Sequence, residues 1–311
     1  MIGSTHFGNG EERFRKSFVW NILLRSGGRG FRNLGAVLLL PLALLAASAQ
    51  TPRTYAGFDA NEYPGDAQLA TLHRQFAFTG FWLNNPPGAT HNPWTGKRTL
   101  LRRAGFGFLV LFNGRLDADI LNAQKAGKSP AALGQQDAAA AIAAARREGF
   151  PPRTILFLDQ EQGGRMLEEQ TGYLLSWTEA VYASGYRPGV YASGQPVPDG
   201  QGPGGKPATI TTIEDLRQKV AARHLHPLAF WVIQDACPPS PGCVVAHPPA
   251  PDLSGTLHAD VWQFAQSPQR KQLTQSCAPT YNSDSNCYAP GVPGFRLDLS
   301  SATSADPSHG R

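Results

Sequence analysis

The chain has 311 residues, 41% of them hydrophobic, and 28 Lys and Arg against 23 Asp and Glu. Its first 49 residues hold six basic and two acidic side chains, which leaves 22 against 21 from Gln50 onward. That near-neutral balance leaves nothing to argue for a nucleic-acid or anionic-membrane partner. The 262 residues that follow suffice for one large barrel or two small domains.

Arg25, Arg29 and Arg32 precede an uncharged apolar run, Leu34 to Ala47, which ends in Ala47-Ser48-Ala49. A basic stretch, a short apolar stretch and a small-residue site read as a cleaved secretory signal. The rival is a membrane anchor, but a span needs about 20 apolar residues and this run is shorter. The expected organisation is a leader over 1–49 and one domain over 50–311, secreted or otherwise extracytoplasmic. No stable membrane insertion is expected after cleavage.

From Tyr55 short apolar runs alternate with helical stretches. The runs are 55–60, 76–83, 105–113, 154–159, 189–192, 229–235, 258–265 and 295–299. Helices are predicted over 65–75, 135–148, 166–184 and 213–223. The second of these is rich in Ala and stopped by Gly149. Ile155-Leu156-Phe157-Leu158 and Phe108 to Phe112 are apolar on successive residues, as expected of parallel strands buried on both faces. Eight such runs alternating with helices predict an α/β fold, a closed (β/α)8 TIM-type barrel. An open doubly wound sheet is the alternative, but its glycine-rich phosphate loop is missing after the first run. Segments 236–257 and 266–294 lack a helical pattern, so the last two βα units are expected to be irregular. Pro196 to Pro207 reads as a loop. Cys237 and Cys243, and Cys277 and Cys287, are two close pairs. In an exported chain they read as loop disulfides, although four cysteines allow three connectivities. A zinc site is the rival, with neither CxxC spacing nor a well-placed His to support it.

In such a barrel chemistry gathers where strands end. Asp59 closes the first run, Asn113 the third, Asp159 the fourth with Glu161 two residues on, and Asp235 the sixth. Trp262 and Gln263 fall in the seventh run and Asp298 in the eighth. Asp159 and Glu161 share a face if the strand persists. Two close carboxyls cannot both ionise freely, so one can remain a proton donor at neutral pH, as glycoside cleavage requires. Any single Asp at a strand end, Asp235 above all, is equally an N-cap of the next helix. Trp82, Trp231 and Trp262 can stack on sugar faces or simply fill the core.

Gly57-Phe58-Asp59, Leu156 to Glu161, Val261-Trp262-Gln263-Phe264 and Leu297-Asp298-Leu299 resemble motifs of the barrel N-acetylmuramidases, glycoside hydrolase family 25. The Gly-Phe-Asp opening and Gly189-Val190-Tyr191 are more similar still to the glycoside-hydrolase-like family called domain of unknown function 1906. The resemblance implies Glu161 as proton donor, Asp159 as its partner, and Asp59 and Asp298 as flanking acids. It also implies Gln263 as a polar site residue. Ala60-Asn61-Glu62 departs from the muramidase continuation of the first-strand motif. The expected ligand is therefore a cell-wall polysaccharide, and the expected substrate-binding residues are Gln263, Trp262, Trp82, Trp231, Asn113, Tyr191 and Asp235. The expected function is hydrolysis of peptidoglycan; the alternative is a catalytically inactive, glycan-binding envelope barrel. No cofactor or metal is expected, although four carboxylates could also cage Ca²⁺ or Mg²⁺.

Overall fold

The structure, a computed structural model, describes residues 53–234, 246–266 and 297–311. The leader with its cleavage site, Asp235 and all four cysteines lie outside the described residues. Eight strands close a ring: β1 (Tyr55–Asp59), β2 (Phe78–Trp82), β3 (Gly107–Asn113), β4 (Ile155–Gln160), β5 (Arg187–Ser193), β8 (Ala229–Ile233), β9 (Val261–Ala265) and β10 (Asp298–Ala302). Their order around the ring is β1-β10-β9-β8-β5-β4-β3-β2. Nearly every strand residue is buried, because the inner face packs on itself and the outer face packs on helices.

The helices are α1 (Leu69–His73), α2 (Arg98–Arg103), α3 (Asp117–Lys125), α4 (Pro130–Glu148), α5 (Glu168–Ala183) and α6 (Thr212–Ala222). The Ala-rich helix starts five residues earlier than its pattern predicts. Ser129 caps it by accepting from the Ala132 N–H, Pro130 occupies the first turn, and Gly149 ends it at φ 80°. Gly134 lets α5 approach closely: a Cβ there would lie 2.1 Å from the Tyr173 carbonyl. No helix of the described residues is long and apolar enough to cross a membrane.

Two expectations need correcting. The segment read as a loop is a two-stranded hairpin, β6 (Val197–Gln201) with β7 (Pro207–Ile210). Its Pro, Gly and Asp content argues against strands, but Arg165 grips Asp199 through two hydrogen bonds of 2.6 and 2.7 Å and pins the hairpin to the β4–α5 loop. The second correction concerns direction. The last strand is not parallel: β10 runs antiparallel to both β1 and β9. It begins at the rim where the other strands end, and it descends. The described part of the link before β9 holds only a short 3₁₀ turn, Pro251–Ser254, in place of a barrel helix.

After β10 the chain crosses the floor of the barrel. The Ser308 N–H donates to the Phe108 carbonyl, and the Ile155 N–H donates to Ser308 O. Asp306 accepts from the Phe108 N–H, Ser308 Oγ from the Val110 N–H, and Gly310 O from the buried Arg98 guanidinium. These bonds occupy donors at the starts of β3 and β4 that have no strand partner.

Candidate active site at the carboxyl rim

Strand alternation and register fix which side chains face inward. In the β1–β10 pair Gly57 faces Ser300 and Asp59 faces Asp298. Directly opposed residues share a face, so the last residue of β1 and the first residue of β10 bring two carboxyls together. Asp159 pairs in register with Asn113 on one side and Tyr191 on the other, and Tyr191 with Trp231. Room for Asp59 comes from Gly80 on β2: a Cβ there would lie 2.5 Å from the Asp59 Cβ and 3.1 Å from its Cα. Nothing in the sequence pattern singles out Gly80; only the close approach of two strands reveals its role.

Asp59 and Asp159 are 7% and 5% exposed. Burial pushes the Asp59 carboxyl well above its ordinary range, repulsion from Asp298 and Asp159 adds to this, and a hydrogen bond from Gln263 opposes it. Burial also pushes Asp159 well up, with Glu161 as the second cause. Among the described residues the buried Asp159 Oδ1 has no hydrogen-bond partner. The Tyr191 hydroxyl is driven up first by burial and then by Asp159, Asp59, Asp298 and Glu161. One phenol thus feels four acids carried by β1, β4, β10 and the loop after β4. Glu161 lies one residue beyond β4 and is exposed on the rim. Its loop is tied down by neighbours. Gln162 Oε1 accepts from the Gln170 amide, the Asp117 N–H and the Gln160 amide, while Arg165 binds both Asp199 and Asp215.

The other expected site residues separate into four settings. Tyr191 O–H donates to Gln263 Oε1 at 2.8 Å, and Gln263 Nε2 donates to Asp59 Oδ1 at 3.1 Å, so both residues are built into the wall. Trp231 is fully buried inside the ring; its indole donates to Ser300 Oγ, and its ring meets Phe157 and Tyr191 edge-on. Trp82 ends β2 and donates to the Ala60 carbonyl. Asn113 ties two rim loops together, accepting from Asn84 and donating to the Asn85 carbonyl. Trp262 lies on the face opposite Gln263, with its indole on Gln234 O. No group of three or more His, Cys, Asp and Glu among the described residues is set to hold a metal ion.

The barrel is similar to several solved structures. An uncharacterised B. stearothermophilus protein is 17% identical at a TM-score of 0.46, over 79% of this chain and 94% of its own. The Tat-secreted Mycobacterium tuberculosis protein Rv2525c, in complex with L-tartrate, is 16% identical at 0.45, over 80% and 95%. The catalytic domain of endolysin ply40, from bacteriophage P40 of Listeria monocytogenes, is 13% identical at 0.43, over 84% and 100%. No curated protein matches the chain in sequence. The model of the Rv2525c-like, glycoside hydrolase-like domain matches residues 84–275, and the chain belongs to that family.

Proposed function

We propose that this protein is an exported glycoside hydrolase acting on cell-wall glycan, with peptidoglycan as the substrate class. Glu161 gives a proton to the glycosidic oxygen as the bond to the anomeric carbon breaks. Water adds to that carbon and leaves its proton on a neighbouring carboxylate. Asp159 stands beside Glu161, and Asp59 and Asp298 flank the sugar from β1 and β10 and supply negative charge in whichever of them is ionised. The observation that carries this reading is the register that sets Asp59 opposite Asp298 on β1 and β10 and Asp159 beside Tyr191 on β4 and β5, all at the carboxyl rim. Such a pocket favours the positive charge that develops on a sugar ring during cleavage. Membership of a glycoside hydrolase-like family supports it further. Export rests on the Arg25 to Ala49 pattern, and in that setting Cys237, Cys243, Cys277 and Cys287 form two disulfides.

The test incubates the chain from Gln50 onward with purified peptidoglycan and counts released reducing ends. The wild type is expected to release them, and Glu161→Gln to lose at least about 100-fold, the scale of general acid catalysis. Equal release by both, or none by either between pH 4 and 8, defeats the proposal. The exposure of Glu161 favours a second reading, a barrel that binds glycan without turnover, because a proton donor works best when shielded from water. Retention on insoluble cell wall with no released ends would select that reading.

A further inference from the structure

Gln263 is fully buried on the inner face of β9, and both ends of its amide are spent inside the protein. Tyr191 on β5 donates to its oxygen, and its nitrogen donates to Asp59 on β1. The Tyr191 hydroxyl can donate or accept, but an ionised carboxylate can only accept, so Asp59 in that form takes the amide N–H and leaves the amide oxygen to accept from Tyr191. Three strands that are not ring neighbours are joined by this one-way chain.

We infer that Gln263 is a positioning residue: clamped by Tyr191, it presents an N–H that orients the Asp59 carboxyl and favours its charged form, and it does not touch glycan. This rests on the hydrolase reading only where turnover is the readout. Asp59 is faced by Asp298 from β10, Asp159 from β4 and Gln263 from β9, with the non-ionisable Gly80 against its Cβ from β2. Glu161 acts on Tyr191 and Asp159. Every ionisable neighbour that acts on Asp59 is therefore an acid, and Gln263 is what opposes them. Without its N–H the carboxyl keeps its proton to higher pH and loses its fixed orientation.

The test titrates Asp59 directly, by carboxyl-¹³C NMR of Asp-labelled protein, with the signal assigned from Asp59→Asn. Gln263→Leu is expected to raise the Asp59 midpoint by about one to two pH units, the worth of one hydrogen bond to a charged group. Tyr191→Phe leaves the amide free to turn and is expected to move it the same way by less. Gln263→Glu, protonated, can accept from Tyr191 and donate to Asp59. It is expected to approach wild-type behaviour at acid pH and lose it as the new carboxyl ionises. An unmoved midpoint in folded Gln263→Leu, checked by its melting curve, overturns the inference even if the wild type hydrolyses glycan. A wild type without turnover would defeat the hydrolase reading and leave this titration as informative as before. In an active enzyme the acid limb of kcat should move with the midpoint while KM stays within about twofold. A change confined to KM would place Gln263 against the glycan and overturn the assignment.

Discussion

The two ends of the barrel are built on opposite principles. At the floor, the tail from Ala305 to Gly310 satisfies backbone donors of β3 and β4 and holds the Arg98 guanidinium on a carbonyl. At the rim, Asp59, Asp159 and Asp298 crowd together, burial disfavours charge on Asp59 and Asp159, and Asp159 Oδ1 has no partner among the described residues. The floor spends its polar groups on stability, whereas the rim keeps like charges close and leaves Asp159 Oδ1 unpartnered among the described residues. Unsatisfied, mutually repelling groups survive only where the surrounding structure over-determines them, which is the usual condition of a working site.

Substitutions can break this contrast. The largest effect on stability is expected at the floor. Asp306→Ala removes the acceptor for the Phe108 N–H and the Arg311 N–H, and should cost about 2 kcal/mol in urea unfolding. A loss well below that would mean the floor is no better bonded than the rim. At the rim the sign should reverse, because Asp159→Asn removes a carboxyl whose charged form burial disfavours. An acid whose folded pKa is raised weakens the fold once pH passes its unfolded value. The variant should therefore match wild type below about pH 3.8, the ordinary value, and gain about 1 kcal/mol as pH rises toward the raised folded value. Thermal melts at pH 4 and pH 7 measure this, and a variant less stable at pH 7 would show that Asp159 is structural. The smallest effect is expected at the hairpin. Arg165→Ala cuts the exposed clamp to Asp199 and one bond to the buried Asp215, which keeps Lys219 and the Met166 N–H, so the melting curve should fall only slightly while limited proteolysis begins to cut between 197 and 210.

How much could be read beforehand differs along the same axis. The closed ring was legible because strands buried on both faces leave continuous apolar runs such as Phe108 to Phe112. The proximity of Asp59 and Asp298 was also foreseen, but for an incomplete reason: ring closure alone puts β1 beside the last strand. Had β10 been parallel, its first residue would lie at the floor. The missing helical pattern between 266 and 294 was the available sign, since a parallel strand needs a crossover, usually helical. The hairpin was hidden because its stability comes from Arg165, some 30 residues away in sequence. The amide chain through Gln263 was hidden for the same reason, since 72 positions separate it from Tyr191 and 204 from Asp59. Sequence periodicity reports local burial, and long-range polar partners leave no period.

The reversed last strand also decides which way the chain leaves the ring. Having started at the rim with Asp298, it surfaces beneath the barrel with Arg311 exposed. Anything fused behind Arg311, whether a purification tag, a surface linker or a fluorophore, would hang from the underside. The protein could be immobilised by that end with its carboxyl rim turned away from the support.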